Sequence, residues 1–204
     1  MKLFYKSGAC SLSPHIVLSE IGKPFETEAV DTKTKVMASG GDFFKVNPKG
    51  YVPALLLDDG NLITEGAVIV QYLADQSPEK GLAPKNGTLE RVRLQEHLNH
   101  IAAEYHKSYT PLFTPGASEE LKAFGVGRVE KALKHYEDLF SDGRAYLMGD
   151  AFSVADAYLF TVTNWTKFVG ISLEPYPHVS AFMARMAARP AVQAALKAEG
   201  LLKA

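Results

Sequence analysis

Halfway along the 204-residue chain the pattern of its apolar residues changes. Up to about residue 76, strand-like and helical spacings alternate; past residue 88 only helical spacing is left. Between them lies Ser77-Pro78-Glu79-Lys80-Gly81-Leu82-Ala83-Pro84-Lys85-Asn86-Gly87-Thr88, dense in turn formers and charge, which reads as a linker. The expectation is therefore two domains, 1–80 and 88–204, an α/β half followed by an all-α half.

In the first half, Leu3 to Tyr5 reads as a strand and Pro14 to Ile21 as a helix stopped by Gly22. Thr27 to Val30 is a second strand, and residues 34 to 44 carry a weaker helical signal broken by Gly40-Gly41. Ala54 to Leu57, the turn Asp58-Asp59-Gly60 and Leu62-Ile63 form a short hairpin. An apolar helix from Glu65 to Ala74 completes a βαβαββα order. In the second half, Leu89, Val92, Leu98, Ile101, Ala102 and Tyr105 follow helical spacing, as do Val126, Val129, Leu133, Tyr136 and Phe140. Ser153-Val154-Ala155-Asp156 has the residues of a capping box, and amphipathic stretches run from His178 to Ala188 and from Ala191 to Ala198.

The formal net charge of −1 and pI near 6.6 give no electrostatic footprint for nucleic acid. The N-terminus enters a strand pattern at once, without the apolar core of a signal peptide, and no run reaches membrane-spanning length. A lone cysteine forms no intrachain disulfide, which fits a reducing compartment, and the cytoplasm is the expected location.

That cysteine lies in Gly8-Ala9-Cys10-Ser11-Leu12-Ser13-Pro14-His15, where a strand turns into a helix starting at about Leu12 to Pro14. Buried cysteines are commonly inert packing. Here, however, Gly, Ala and Ser surround the thiol, and unpaired N–H groups at a helix start favour a thiolate, that of Cys10 or of a small thiol bound beside it. A second constellation, Asn47-Pro48-Lys49-Gly50-Tyr51-Val52-Pro53-Ala54-Leu55, implies a stiff turn leading into a strand edge. Pro53 cannot donate to a ladder, so the backbone of Val52 is left to pair with an extended ligand, unless the segment is a plain loop. The third, Thr64-Glu65-Gly66-Ala67, opens a helix whose N–H groups suit a carboxylate, with Gly66 allowing close approach. Glu65 can also be read as simple favourable dipole chemistry.

Together these motifs, with His106-Lys107 and Ser153-Val154-Ala155-Asp156-Ala157-Tyr158, make the chain resemble a cytosolic glutathione S-transferase of the bacterial beta class along essentially its whole length. The resemblance implies a thioredoxin-like domain over Met1 to about Ser77 and an all-helical domain from Thr88 onward. It implies that Cys10 lies beside the glutathione sulfur and can form a mixed disulfide with it. Val52 would pair main chain to main chain with the cysteinyl part, and Pro53 would be the family's cis-proline. Glu65 and Gly66 would hold the γ-glutamyl end, and Lys35 would approach the glycyl carboxylate, although that region has no distinctive motif and a solvated lysine would look the same. Asn99, Ala103, Glu104, Tyr105 and His106 would complete the site from the helical domain, some of them across the interface of a homodimer. Where many cytosolic transferases carry a serine after the acid, this chain has Gly66, which keeps the N–H donor and lacks the hydroxyl.

Histidine can accept or return a proton near neutral pH, which suits His106 to thiol chemistry, although most of the six histidines are expected at the surface or in packing. Two reactions are implied: conjugation of the glutathione thiolate to small hydrophobic electrophiles, and thiol–disulfide exchange through Cys10. With no Cys-x-x-Cys pair, a second glutathione must resolve the intermediate. The electrophile is expected in an interdomain cleft; Tyr109, Phe113, Trp165 and Phe168 are possible walls that read equally as helix-face core. A non-catalytic carrier of hydrophobic ligands, or a stress-response interaction protein, is the alternative on the same scaffold. A metal site is not expected, because His97 and His100 share a helix face without an accompanying ligand set.

Overall fold

The computed structural model describes residues 1–202. In chain order the regular elements are β1 (Lys2–Tyr5), α1 (Leu12–Ile21), β2 (Glu26–Asp31), β3 (Val36–Met37), β4 (Ala54–Leu56), β5 (Leu62–Thr64) and α2 (Gly66–Asp75). There follow α3 (Leu89–His100), a π-helical turn (Ile101–Tyr105), α4 (His106–Ser108), α5 (Thr110–Phe113), α6 (Glu119–Phe140), α7 (Val154–Thr163), α8 (Pro177–Ala187) and α9 (Pro190–Ala198). Contacts group the described residues into two compact units, 1–83 with 188–202, and Pro84–Ala187.

The first unit is built on a mixed sheet in the order β3-β2-β1-β4-β5, with only the β1–β2 pair parallel. Successive side chains of a strand face opposite ways, so the buried pair Leu3 and Phe4 on the central strand needs cover on both faces. Phe4 finds it in a cluster with Val30, Phe43, Val52 and Ala54, its ring 5.6 Å from that of Phe43. Elsewhere α2 packs on β4 and β5, and α1 packs on both α2 and α9. Gly22 ends α1 in the left-handed conformation, φ 75°, its N–H donating to the Leu18 carbonyl, as its place in the sequence implies.

Two expectations are corrected. Residues 34–44 form no α-helix: the Asp31 carboxylate accepts from the N–H groups of Lys33 and Thr34, Lys35 turns to φ 62°, and the chain doubles back as β3 before one 3₁₀ turn at Phe43–Lys45. That local aspartate turn takes up the donors a helix would need. The C-terminal helix α9, expected with the all-helical half, belongs by its contacts to the first unit. The anchor is Glu199, just beyond α9. Its carboxylate accepts from the Gly8 N–H at 2.9 Å and meets His15 Nδ1 at 2.9 Å, its carbonyl accepts from Ser7 Oγ at 2.6 Å, and Arg189 binds Glu20 at 2.7 Å.

In the second unit every residue of α7 is buried, so it forms the centre around which α3 and α8 pack. Phe140 of α6 stacks on Phe182 of α8 at 4.8 Å. The residues grouped by helical spacing divide between two faces: Leu98, Ile101 and Tyr105 are buried and Ala102 is half-buried, while Leu89 and Val92 lie on an outer face, 64% and 48% exposed. At the start of α7 the fully buried Asp156 carboxylate accepts from the N–H groups of Leu147 and Ser153 at 2.8 Å each and from Ser153 Oγ at 2.7 Å. Burial pushes this carboxyl up to about 6, against the pull of those donors, which leaves it ionised at neutral pH. Asp156→Ala strands two buried N–H groups and is expected to cost roughly 3 kcal/mol in urea unfolding. A loss within about 0.5 kcal/mol would show that the carboxylate does not organise this helix start.

Candidate active site

The Cys10 turn is held from several directions. Ser11, expected as a helix cap, instead ties its hydroxyl to Lys6, accepting from the Lys6 N–H at 3.1 Å and donating to the Lys6 carbonyl at 3.2 Å. Ser13 Oγ donates to the Cys10 carbonyl at 2.9 Å. The partly buried Cys10 thus sits two residues before α1, and its Sγ donates to the Val52 carbonyl at 3.3 Å.

Val52 is positioned by the turn before it. Asn47, which is buried, accepts from the Lys49 N–H at its side-chain oxygen, donates from Nδ2 to the Tyr51 carbonyl at 2.7 Å, and takes the Gly50 N–H on its own carbonyl. Gly50 has φ 68° and lies under Phe44, whose ring a Cβ would meet at 2.6 Å, so both the conformation and the space require glycine. The Val52–Pro53 peptide is cis. Val52 stands outside the β4 ladders, which begin at Ala54.

Lys35 reaches the same turn: its Nζ donates to the Gly50 carbonyl at 2.8 Å and lies 5.4 Å from the centre of the Tyr51 ring. It is an anchored, half-buried lysine, held at positive φ, and not a freely solvated one. Glu65, at φ 70°, precedes α2 without capping it through its side chain; its carboxylate pairs with Lys49 Nζ at 2.8 Å. A non-glycine residue at positive φ stores strain that the surroundings must hold. Gly66 opens α2 next to Pro53 and Ser13, with room for a Cβ at ordinary contact, 3.6 Å and 3.9 Å respectively, so the absent hydroxyl is a chemical difference and not a steric necessity. Cys10, Val52, Pro53 and Gly66 are accordingly neighbours through these contacts, with Lys35 and Glu65 joined to the same turn through Gly50 and Lys49.

The remaining expected residues belong to the second unit, on α3, the π turn and the start of α4. Asn99, Ala103 and Glu104 are exposed, Glu104 pairing with Arg128 at 2.5 Å. The Tyr105 side chain lies in the core against Tyr109 and Tyr136, donates to Thr163 Oγ1 at 3.3 Å and is pushed up to about 12 by burial. His106 is half-buried, its Nδ1 2.8 Å from Tyr158 Oη and its ring 4.8 Å from that of Trp165. Burial, with a smaller contribution from Lys107, pushes its pKa down to about 4. The expected titration near neutral pH is therefore replaced by a neutral imidazole. Tyr109, Phe113 and Trp165 continue this aromatic group; Phe113 is 49% exposed, whereas Tyr109 and Trp165 are buried.

Asn47, Lys49 and Tyr158 were not anticipated as site residues. Asn47 carries a local signal, an Asn-Pro pair that favours turn initiation. The Lys49–Glu65 and His106–Tyr158 pairs span 16 and 52 residues and have none. Among the described residues no group of three or more His, Cys, Asp or Glu side chains is arranged to hold a metal ion.

Residues 8–76 match the glutathione S-transferase N-terminal domain, and residues 100–190 match the glutathione S-transferase C-terminal domain. The chain is 51% identical to glutathione S-transferase GstA of Escherichia coli O157:H7 over 98% of its own length and 100% of that protein. A bacterial beta class glutathione S-transferase of Sphingomonas chungbukensis superposes with TM-score 0.96 at 48% identity, covering 99% of this chain and 100% of that one. The structure of a sphingomonad glutathione S-transferase complexed with glutathione superposes with TM-score 0.95 at 47% identity, again over 99% and 100% of the two chains. With both domain models matched in order and such identity sustained from end to end, the chain belongs to the glutathione S-transferases, in their bacterial beta class.

Proposed function

We propose that this protein is a glutathione transferase that joins the glutathione thiolate to small hydrophobic electrophiles and also exchanges thiols through a Cys10–glutathione mixed disulfide. The observation that carries the reading is the contact between Cys10 Sγ and the Val52 carbonyl, beside cis Pro53 and the start of α2. A peptide thiol laid along Val52 as an added strand would bring its sulfur to Cys10. Its γ-glutamyl carboxylate would meet the first N–H groups of α2, which Glu65 leaves without a side-chain cap. Lys49 and Lys35 supply positive charge at the same turn.

We assign Asn99, Ala103, Glu104 and the main chain of Tyr105 to the glutathione contacts from the resemblance, and His106 to the handling of the thiol. The cluster of His106, Tyr109, Phe113 and Trp165 offers an apolar wall of the kind an aromatic electrophile requires. In exchange, the Cys10 thiolate attacks the glutathione sulfur of a mixed disulfide, forms Cys10–S–SG and expels the other thiolate. A second glutathione thiolate then attacks, releasing glutathione disulfide and restoring Cys10. A cytoplasmic location fits a cysteine outside any disulfide, and among the described residues no helix is long and apolar enough to cross a membrane. A homodimer fits the exposed apolar side chains Leu89, Val92 and Tyr51, the last 71% exposed.

Three outcomes test this reading. Calorimetric titration with reduced glutathione should show saturable binding, weakened about tenfold in Glu65→Ala, the loss of roughly 1.4 kcal/mol expected of one charge-assisted contact. Absence of binding across the millimolar range by folded protein would favour the carrier. Mass spectrometry should find a glutathione adduct on the wild type and none on Cys10→Ala, while conjugation survives within about tenfold; undiminished exchange by that variant would refute Cys10 as the nucleophile. Light scattering at micromolar concentration should give twice the mass of the 22.3 kDa chain, and a monomer would remove the shared site.

A further inference from the structure

The contact between His106 and Tyr158 bears on how the thiol loses its proton and what stabilises the anion left behind. Both rings belong to the helical unit, His106 at the start of α4 just after the π turn and Tyr158 in the middle of the wholly buried helix α7. The Nδ1–Oη separation is 2.8 Å, and the rings meet edge to face, with centroids 6.0 Å apart at 86°. Trp165 packs the imidazole from a second direction, at 4.8 Å and 69°. The ring is thus fixed by packing as well as by the hydrogen bond. A π-helical turn inserts an extra residue into a helix and re-aims the side chains beyond it, and this one ends immediately before His106.

Two arrangements of the proton can satisfy a 2.8 Å contact between a phenol and a neutral imidazole. A phenol, with pKa near 10, is a far better donor than a neutral imidazole N–H, and an imidazole nitrogen is a far better acceptor than a phenol oxygen. The matched pair is O–H donating to Nδ1, which leaves the proton of the neutral ring on Nε2.

We propose that Tyr158 is a positioning residue for the transferase reaction: by donating to His106 Nδ1 it holds the imidazole as the Nε2–H tautomer, a hydrogen-bond donor to the thiolate. The inference rests on the reading of His106 as a residue that acts on the glutathione thiol. With Nδ1 engaged and Nε2 protonated, the ring has no lone pair left to remove the thiol proton. That proton leaves to solvent, and His106 stabilises the sulfur anion that remains. The low basicity of the buried imidazole suits this role, because a ring that stays neutral keeps one tautomer over the whole range in which a thiol ionises.

The test uses the full chain in three forms, wild type, Tyr158→Phe and His106→Ala, together with the double variant. Long-range ¹⁵N–¹H correlation of the histidine rings in the wild type is expected to show the Nε2–H pattern for His106, assigned by its loss in His106→Ala. An Nδ1–H pattern overturns the proposal without any assay of activity. Tyr158→Phe keeps the ring in the core and removes only the hydroxyl, and its thermal unfolding verifies that it is folded. In this variant the His106 Nδ1 resonance is expected to move. The pKa of the bound glutathione thiol, read from thiolate absorbance, is expected to rise by about half a unit to one unit, and kcat to fall roughly three- to tenfold with KM for glutathione unchanged. A larger rise in His106→Ala, with no further change in the double variant, supports the pathway through His106. If His106→Ala raises the thiol pKa and Tyr158→Phe does not, the positioning role fails while the reading of His106 stands. If neither variant moves it, the reading of His106 itself fails.

Discussion

The placement of the Cys10 turn depends on one buried carboxylate. Glu199 lies near the end of the chain, yet it accepts from the Gly8 N–H and meets His15, so it holds the residues on either side of Cys10. A carboxylate buried with its His15 partner is stable only while each of its oxygens is satisfied, which makes the arrangement intolerant of small displacements. Ser7 adds a bond to the Glu199 carbonyl, and the Glu20–Arg189 pair links the far end of α1 to the start of α9. The last helix belongs to the sheet-containing unit because Glu199, just beyond its end, completes the shell around the thiol turn.

The turn packed against Cys10 is assembled from backbone held in uncommon conformations. Lys35 and Glu65 both have positive φ, and each is tied by its side chain to the segment from Asn47 to Tyr51, Lys35 through the Gly50 carbonyl and Glu65 through Lys49. Asn47 fixes that segment from inside with three hydrogen bonds. The Lys49–Glu65 pair is more than half exposed on each side, so its contribution to stability is small. Its effect is to place charge near the start of α2, where ligand binding would draw on it.

In the helical unit, burial determines the chemistry. Asp156 and His106 are both shifted mainly by loss of water, the acid upward and the base downward, so that at pH 7 the ionised acid and the neutral base predominate. Asp156 remains ionised there and gathers three donors to start α7. That helix in turn carries Tyr158 to His106, so the capping of a core helix and the placement of Tyr158 against that imidazole are consecutive steps along one element.

Much of this was legible in the residues themselves, because local chemistry decided it. The strand and helix periods, the Gly22 stop, the Asp58-Asp59-Gly60 hairpin, the capping residues at α7 and the division near residue 80 all arise from interactions within a few positions of each other. The family motifs gave the candidate residues. Local signal failed where a short-range aspartate turn and a left-handed lysine displaced a weak helical pattern at residues 34–44, and where Leu89 and Val92 kept a helical period on an outer face. Only the tertiary structure decided that α9 joins the first unit, that Tyr105 is core, that His106 is neutral and faces Tyr158, and that Lys35 and Lys49 are engaged at the Val52 turn. The reason is common to all of them: burial and pairing between residues far apart in sequence are properties of the folded packing, whereas helix caps, turns and hydrophobic period are properties of the adjacent chain.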